Sequence, residues 1–516
     1  MKKLRILSMV LVLVLAGLMV SPAQAVTQAE INASIQKGLD WLVPQQNPDG
    51  SWGSYARVAH TGFAVVKLEE RAFELGFKSP FDPAYQYSNQ VTAGLNYLFS
   101  GAFAVGIDLQ PAGDPDSEGD GSAIGFWGDG GQTYETGIAM MAIAGSKDPG
   151  RVVNVLDSVV DGWTYKRVLQ NTVDYFAWGQ NDSATGGARG GWVYEPNQGW
   201  SDNSNTGYAV LGLRYAEVFG CSIPAFLKTE LNMWIDYIQN DVSGGSGYNE
   251  PNSIVNVLKT GNLLFQMAFV GDTTATPRVL AAIGYIQNTW DDPSGDPGWR
   301  PNHYQAMYCL MKSFQSLGIE TITVMRGVVP TVVKWFDEFA TAIVGSQNAD
   351  GSWPPDWYGD SMLSTEWAIL TLEKVAPPPP IVEGRMTGGG SVFMEDGTRV
   401  THGFELHCNV TKGPNNLQVN WGKGNKFHLE KLTAASCSDD PDIAPNPPPA
   451  GFDTCTGAGT GRYKDVSGAK AKWTFTDAGE PGKNDSAKIE IWDANGALVL
   501  SVSGKLASGN HQAHAK

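Results

Sequence analysis

A seven-residue segment near the N-terminus recurs almost unchanged near residue 350. The first copy reads Gln46-Asn47-Pro48-Asp49-Gly50-Ser51-Trp52, and 301 residues later the chain reads Gln347-Asn348-Ala349-Asp350-Gly351-Ser352-Trp353. Between the two copies, Gly-rich turns that end in an aromatic residue occur at Gly125-Phe126-Trp127, Gly191-Trp192, Gly247-Tyr248 and Gly298-Trp299. Recurrence on this scale is typical of a repeat architecture. The pattern divides this part of the chain into six units.

Each unit contains two helical patterns, one on either side of the turn. In the first pattern, apolar residues such as Ile35, Leu39 and Leu42 return at helical spacing. The second pattern follows a Thr or another polar residue and is apolar on nearly every side, as in Thr61-Gly62-Phe63-Ala64-Val65-Val66. Because a helix without a polar face is buried all round, the units predict an outer and an inner layer of helices. Since the first and last copies are the most alike, we expect units one and six to be neighbours.

The aromatic residue that ends each turn provides a register for the repeats. We expect these residues to occupy equivalent positions in all six units. They are Trp52, Trp127, Trp192, Tyr248, Trp299 and Trp353.

The repeats resemble the QW motif of the prenyltransferase and squalene-cyclase (terpenoid cyclase) repeat superfamily. The first copy matches at Lys37-Gly38, Trp41-Leu42, Gln46, Gly50 and Trp52, and the last copy matches at Gln347, Gly351 and Trp353. The resemblance implies a mainly α fold, an (α/α)6 toroid of six helical hairpins over residues 26–375 with a central cavity. It also implies that the Gln and Trp residues tie each turn to a neighbouring outer helix, which is a structural role.

The N-terminus has the pattern of a bacterial-type secretory signal peptide, which we assign to residues 1–25. Lys2, Lys3 and Arg5 precede an apolar run over residues 6–20, and Ala23-Gln24-Ala25 supplies small residues for cleavage. No other stretch has the length and apolarity of a transmembrane helix. The sequence therefore predicts a secreted or periplasmic protein with no transmembrane segment after processing.

Beyond a Pro-rich linker at residues 376–383, the sequence changes in character. Short β-like runs separated by Gly, Asn and Asp turns predict an all-β, sandwich-like domain over residues 384–516. This segment resembles a β module found at the C-termini of secreted bacterial proteins. The resemblance implies that Cys408 and Cys437 form a disulfide and that Cys455 is extra, and it suggests docking to a surface or partner.

Charge is distributed unevenly between the two predicted domains. From residue 384 onward 14 Lys and Arg balance 14 Asp and Glu, whereas residues 26–383 carry 19 basic and 39 acidic residues, a net charge of −20. A field of this sign disfavours nucleic acid and anionic membranes as partners. An acidic surface is also a common means of remaining soluble.

Three activities associated with the helical fold lack their motifs here. No Asp-x-Asp-Asp sequence, which class II terpene cyclases use to protonate an alkene, is present. No zinc is expected, because neither Cys221 nor Cys309 follows an Asp by two residues as in protein prenyltransferases. The thioester sequence Gly-Cys-Gly-Glu-Gln is also absent, since Cys221 is followed by Ser222. Fold alone therefore does not give a function.

Polar residues near the starts of the buried helices are the candidate functional residues. The catalytic candidates are His60, Glu135, His303 and Glu366, and the polar ligand-binding candidates are Asn205 and Lys259. Two aromatic residues, Trp357 and Trp367, are further ligand-binding candidates, as stacking platforms for sugar rings or walls for an apolar ligand. Histidine and carboxylate in one pocket are common equipment for acid–base chemistry near neutral pH. We expect His60, His303 and Glu366 to share one half of the cavity. The alternative is that these side chains cap helices or satisfy buried polar groups.

An acidic loop offers a candidate calcium site, the one cofactor that the sequence suggests. Its candidate ligands are Asp114, Asp116, Glu118 and Asp120, with oxygen atoms at alternate positions. The twelfth position is Gly125, so the bidentate Glu of a calcium loop is missing. A solvated acidic loop is the alternative.

Two classes of function are compatible with these observations. The first is a secreted ligand-binding or enzymatic toroid that takes a glycan or an apolar small molecule in its cavity; if it is catalytic, we expect acid–base cleavage of a glycan by hydrolysis or β-elimination. The second is a non-catalytic scaffold anchored through the β domain. A terpenoid-modifying role is a third hypothesis. A polar, carboxylate-lined cavity would favour glycans, and a deep apolar cavity would favour isoprenoids.

Overall fold

The structure is a computed structural model of the chain. It describes residues 25–515 except 183–185, 294–297, 327–328, 357–358, 378–383, 395, 411, 439–442, 444–447 and 449. Residues 1–24 of the predicted signal peptide, residues 378–383 of the predicted linker and the candidate ligand-binding residue Trp357 therefore lie outside the described residues.

The described residues up to 377 form twelve α-helices and two short β-hairpins. The helices are α1 (Gln28–Leu42), α2 (Arg57–Glu74), α3 (Ser88–Ser100), α4 (Gln132–Gly145), α5 (Tyr165–Gly179), α6 (Asn203–Val218), α7 (Ala225–Ile238), α8 (Val257–Val270), α9 (Pro277–Thr289), α10 (Tyr304–Ser316), α11 (Trp335–Gly345) and α12 (Ser361–Leu372). The antiparallel hairpins are β1 (Ala102–Gly106) with β2 (Ser122–Phe126), and β3 (Thr321–Arg326) with β4 (Val329–Lys334).

The helix boundaries follow from capping residues in the sequence. The first helix begins with a capping box, in which the Thr27 hydroxyl accepts from the Glu30 backbone and the Glu30 carboxylate accepts from the Thr27 backbone. Side chains that accept from the third helical residue also start α5, α6, α8 and α12. These caps satisfy backbone N–H groups that have no partner inside a helix.

The even-numbered helices are more fully buried than the odd-numbered ones, as the two helical patterns predict, with the exception of α5, which is also buried on most sides. In α4 and α12 nearly every residue is buried, whereas α1 buries one face only. Each even-numbered helix contacts the next one along the chain, and α12 also contacts α2. The contacts among the even-numbered helices therefore form a closed cycle, with the odd-numbered helices packed against it.

Four glutamine side chains connect consecutive units in the same way. Each donates from Nε2 to the carbonyl of a Gly in its own turn and to a carbonyl of the next odd-numbered helix. The pairs of acceptors are Gly50 and Gln90 for Gln46, Gly190 and Leu227 for Gln180, Gly244 and Arg278 for Gln239, and Gly351 and Ser34 for Gln347. The last of these bonds joins the final unit to α1, so units one and six are neighbours. Sequence spacing identified Gln46 and Gln347 but not Gln180 and Gln239.

The predicted register of the aromatic residues is correct in three units and wrong in the other three. Trp52, Trp192 and Trp353 each donate a backbone N–H to a Thr hydroxyl on the following helix and an indole N–H to a carbonyl of the preceding helical segment. Phe126 makes the backbone bond in unit two, since strand β2 carries it to the start of α4, and Trp127 is half exposed. Ser246 makes it in unit four, two residues before Tyr248.

Trp299 makes neither of these bonds in unit five. It is buried instead against the rings of Trp290 and Phe339, with centroid distances of 5.3 and 4.8 Å. In this unit the Trp290 indole takes the place of the connecting glutamine and donates to Glu338 of α11 at 2.8 Å.

The C-terminal part is a single curled antiparallel sheet, so the prediction of an all-β fold is confirmed and that of a sandwich is wrong. Its strands are β5 (Gly384–Phe393), β6 (Arg399–His407), β7 (Asn416–Trp421), β8 (Asn425–Ser438), β9 (Thr454–Tyr463), β10 (Val466–Thr476), β11 (Ser486–Trp492), β12 (Leu498–Lys505) and β13 (Ser508–Ala515). Neighbouring strands pair in chain order from β5 to β12, and β13 pairs back with β5. One inward-facing core of alternate residues replaces the two facing sheets of a sandwich.

Cys408 and Cys437 form a disulfide in this sheet, as the resemblance implies. The thiols of Cys221, Cys309 and Cys455 are free and buried. Among the described residues, no helix combines the length and apolar character that a membrane span requires.

A buried histidine pair lies inside the sheet. His402 and His511 approach with their Nε2 atoms 2.8 Å apart, and His511 Nδ1 donates to the Thr476 carbonyl at 3.0 Å. Because a carbonyl only accepts, Nδ1 of His511 carries the proton, and His402 Nε2 must donate to His511 Nε2. Only one proton can lie between the two Nε2 atoms, so this contact excludes a state in which both rings are protonated on Nε2.

We predict that Gly351→Ala destabilises the fold more than Gly76→Ala. Both glycines have a positive φ, +98° and +87°, but an added Cβ lies 2.3 Å from the Lys37 carbonyl at Gly351 and meets nothing within 4 Å at Gly76. Left-handed strain alone costs roughly 1–2 kcal/mol, and the clash with α1 adds roughly 1–3 kcal/mol. Urea unfolding of both variants measures the difference. Equal losses would mean that the contact between the last turn and α1 is not tight.

We also predict that acid weakens the β sheet through its histidine pair. Burial lowers the pKa of His402 to about 3 and that of His511 to about 4. Because these pKa values lie below the ordinary value of about 6.5, the unfolded chain binds more protons in acid, and the stabilising contribution is lost as the pH falls from about 6.5 towards 3. Stability should fall by about 1 kcal/mol per pH unit for each ring. Urea unfolding at several pH values should give a flatter dependence for His402→Leu/His511→Leu, and an unchanged slope would contradict the assignment.

Candidate functional site

A cavity of about 370 Å³ lies at the N-terminal ends of five of the even-numbered helices. Helices α2, α4, α6, α10 and α12 each contribute lining residues, and the loops that precede α2, α6 and α12 complete the wall. The volume is within the range of small-molecule sites, about 300–1,000 Å³.

Aromatic rings form most of the cavity wall. They belong to Tyr55, Phe63, Tyr134, Tyr194, Tyr208 and Trp367. The Tyr134 ring lies 6.3 Å from Tyr194 and 6.4 Å from Tyr208, between centroids. Four of the six rings carry a phenol hydroxyl, so the wall presents flat apolar faces together with hydrogen-bonding groups. Trp367, a predicted ligand-binding residue, is therefore in the cavity wall.

His60 and Glu366 form a buried pair at this wall. His60 Nδ1 lies 2.9 Å from Glu366 Oε2, and the two residues come from α2 and α12, the helices whose contact closes the cycle. The Glu366 side chain is fully buried behind the histidine. Its Oε1 is enclosed and has no hydrogen-bond partner among the described residues.

The pKa values of His60 and Glu366 both lie close to neutral pH. Burial lowers the pKa of His60, but the charge of Glu366 and the hydrogen bond to it outweigh burial and raise this pKa to about 8. Burial raises the pKa of Glu366 to about 7, although His60 opposes the change. Because the two groups are coupled, the pair takes up and releases a proton near neutral pH as a unit.

The second ring nitrogen of His60 is available to a ligand. The His60 side chain is 11% exposed and lines the cavity, and Nδ1 is engaged by Glu366. No described residue forms a hydrogen bond with Nε2. A carboxylate that holds one ring nitrogen orients the imidazole and fixes its tautomer, so Nε2 is placed to exchange a proton with a bound molecule.

His303 does not join this pair, contrary to the expectation that His60, His303 and Glu366 share the cavity wall. It is buried, with Nδ1 3.4 Å from Asp356 Oδ2, and it is not among the residues that line the cavity. The physical reason is its position. His303 precedes the first residue of α10, whereas His60 is the fourth residue of α2, and slightly more than one helical turn separates the two positions along the helix.

The other polar candidates contact backbone groups and helix caps near the starts of their helices. Glu135 accepts from the backbone N–H groups of Gly128 and Gly130, and Asn205 donates to Asp202, which caps α6. Lys259 is buried, and its backbone N–H donates to the cap residue Asn256. None of the three lines the cavity. Burial raises the pKa of Glu135, in spite of its hydrogen bonds to the two glycines.

Carboxylates cap four of the even-numbered helices near the cavity, and these were missed in the sequence analysis. Each accepts a hydrogen bond from a backbone N–H in the first turn. The pairs are Asp129 with Arg57 in α2, Asp202 with Asn205 in α6, Asp356 with Gln305 in α10 and Asp360 with Leu363 in α12. Asp202 and Asp360 could have been predicted as caps from the sequence, since each directly precedes its helix. Asp129 and Asp356 reach a helix that is remote in sequence.

The acidic loop does not gather its carboxylates around one point. Asp116 accepts from the backbone of Glu118, Gly119 and Gly121, while Glu118 and Asp120 face Arg167 at 3.0 and 3.9 Å. Asp114 accepts from the Asp116 backbone. Within the described part of the chain, no group of three or more His, Cys, Asp or Glu side chains is arranged to hold a metal ion. The contacts therefore give the calcium hypothesis no support.

Similarity to known proteins does not indicate a function for this site. No family model and no curated protein matches the chain.

Proposed function

We propose that this protein is a secreted (α/α)6 toroid of the prenyltransferase and squalene-cyclase repeat kind that binds a glycan in the cavity beside His60. The observation that carries the proposal is the composition of the cavity wall, in which six aromatic rings are interspersed with hydroxyl, amide and imidazole groups. A sugar ring has apolar faces and a rim of hydroxyls, so it needs flat surfaces and polar partners together.

The cycle of helix contacts supports the toroid. Six even-numbered helices contact one another in sequence order and return to the first, and the bonds of Gln347 join the last turn to α1. Two concentric layers with a cavity at one end of the inner layer account for both observations. Secretion is inferred from the charge and hydropathy pattern of residues 1–25.

A glycan fits the cavity wall better than an isoprenoid does. Ile138 and Leu363 are the large aliphatic side chains among the lining residues, and the remaining wall is aromatic, small or polar. The phenol hydroxyls of Tyr134, Tyr194 and Tyr208 and the amide of Gln305 are groups that can form hydrogen bonds with sugar hydroxyls, whereas an isoprenoid chain offers them no partner.

The His60–Glu366 pair supplies the acid–base group for a cleavage reaction on the bound glycan. Proton transfer by His60 Nε2 requires only that Glu366 hold the ring and stabilise its charged form. Asp360 is the one carboxylate among the described lining residues, so the cavity lacks the pair of exposed carboxylates that flank the bond in most glycoside hydrolases. This composition favours histidine-based proton transfer over two-carboxylate hydrolysis.

We predict that Tyr194→Ala weakens glycan binding and that Trp127→Ala does not. The two side chains are similarly exposed, 43% and 48%, but only Tyr194 lines the cavity. Loss of one stacking face of about 0.5–1.5 kcal/mol corresponds to roughly a two- to tenfold weaker affinity. Isothermal titration calorimetry with a panel of soluble oligosaccharides measures this effect. If no saccharide in the panel binds, or if both variants lose equally, the cavity is not a glycan site.

We predict that Glu366→Gln lowers the pKa of His60. Glu366 raises this pKa to about 8 against the effect of burial, so a neutral amide should leave burial dominant and move the pKa below its ordinary value of about 6.5. The ring signals of the seven histidines can be followed by NMR titration, with His60→Gln to assign the resonance. A His60 pKa that does not change in Glu366→Gln would show that the two side chains are not coupled.

A further inference from the structure

The charge around the cavity is one-sided. Among the described residues that line it, Asp360 is the single carboxylate, and no Lys or Arg is present. His60 is the only other group there that titrates near neutral pH, and its charge is balanced by Glu366 behind it. A ligand in the cavity therefore meets one carboxylate and, among the described lining residues, no lysine or arginine.

Helix ends do not reverse this sign. The N-termini of α2, α6, α10 and α12 would by themselves contribute partial positive charge near the cavity. Each is capped by a carboxylate, from Asp129, Asp202, Asp356 and Asp360 respectively. An ionised carboxylate beside a terminus offsets the half charge of the helix dipole there. Residues 26–383 as a whole carry a net charge of −20, which extends the same field.

We propose that the ligand carries a protonated amino group, so that the glycan bound here contains amino sugars with free amines. This inference rests on the proposed glycan site and adds the charge of its ligand. An ammonium group is attracted to the carboxylate of Asp360 and to the faces of aromatic rings, and the cavity offers six such rings. An anionic sugar such as a uronate would meet the same field as repulsion.

Asp360 is positioned for this role by its own cap. Its Oδ1 accepts from the Leu363 backbone at 2.9 Å, and the residue remains in the wall of the cavity. The hydrogen bond fixes the carboxylate with respect to α12, so its charge has a defined place beside Trp367 and His60. An N-cap Asn makes the same backbone bond as Asp without the charge.

The test compares three β-1,4-linked oligosaccharides of equal length, built from glucosamine, N-acetylglucosamine and glucose, by titration calorimetry with the full chain. The glucosamine oligomer should bind at least about tenfold more tightly than either neutral oligomer, because a hydrogen bond to a charged group is the stronger kind. Added salt should weaken binding of the glucosamine oligomer and leave the other two unchanged.

The variant Asp360→Asn isolates the charge. It should reduce the preference for the glucosamine oligomer to about twofold or less while affinity for the neutral oligomers stays within about twofold. Asp202→Asn is the matched control, since Asp202 also caps a helix but does not line the cavity. This control should keep the preference. A circular dichroism melt of each variant checks that the cap substitution has not unfolded the chain.

The outcomes separate the two proposals. Equal binding of all three oligomers, or a preference that survives Asp360→Asn, would overturn the inference about the amine and leave the glycan site standing. Binding of none of them, with no response from any saccharide in the wider panel, would overturn the glycan site itself. Preference for a uronate oligomer over glucosamine would also overturn the amine inference.

Discussion

The architecture of the helical part depends on a bond that glutamine side chains make between units. A single amide donates to the turn of its own unit and to the next odd-numbered helix, so it fixes the turn and the spacing of two helices together. Gln46, Gln180, Gln239 and Gln347 all do this. A turn glycine with positive φ lies beside each, where the backbone of the neighbouring helix leaves no room for a Cβ. Because Gln347 makes the same bond to α1 that Gln46 makes to α3, the first and last units are connected like internal neighbours, and neither end of the array exposes an unpartnered face.

The repeat could be recognised from the sequence because the glutamine and the glycine that accepts its hydrogen bond are close together in the chain. Gln46 and Gln347 lie four residues before their glycines, which spacing analysis detects. Gln180 lies ten residues before Gly190, because its turn is longer, and Gln239 lies in a turn that ends without tryptophan. Insertion of a β-hairpin displaced the register in unit two, where Phe126 replaces Trp127. Hydrogen bonds between residues at a fixed spacing within one short turn were therefore predictable from the sequence. Hydrogen bonds whose spacing changes with the length of the turn were not.

The candidate site shows the same limit. His60 and Glu366 are 306 residues apart, and their contact exists only because α12 returns to α2. Closure of the array was inferred from the similarity of the first and last copies, which is why both residues could be proposed together. His303 was grouped with them on the assumption that polar residues at helix starts are equivalent. One turn of helix is enough to place such a side chain in the interior instead, where it faces Asp356. Position relative to the helix start has to be known before a side chain can be assigned to a cavity, because an offset of four residues moves it by about 6 Å along the helix axis.

The carboxylates that cap helices near the cavity both stabilise the helices and contribute negative charge there. Each even-numbered helix that begins there has first-turn backbone N–H groups without a partner inside the helix, and carboxylates accept from one of them in α2, α6, α10 and α12. Asparagine satisfies the same need at α8, through Asn256, without adding charge. Four of the five helices that line the cavity have acidic caps, α4 begins after Gly131 without a side-chain cap, and α8 contributes no described lining residue. A neutral asparagine could cap these four helices as well, but aspartates cap them around the cavity. The resulting negative potential acts on any molecule that enters the cavity.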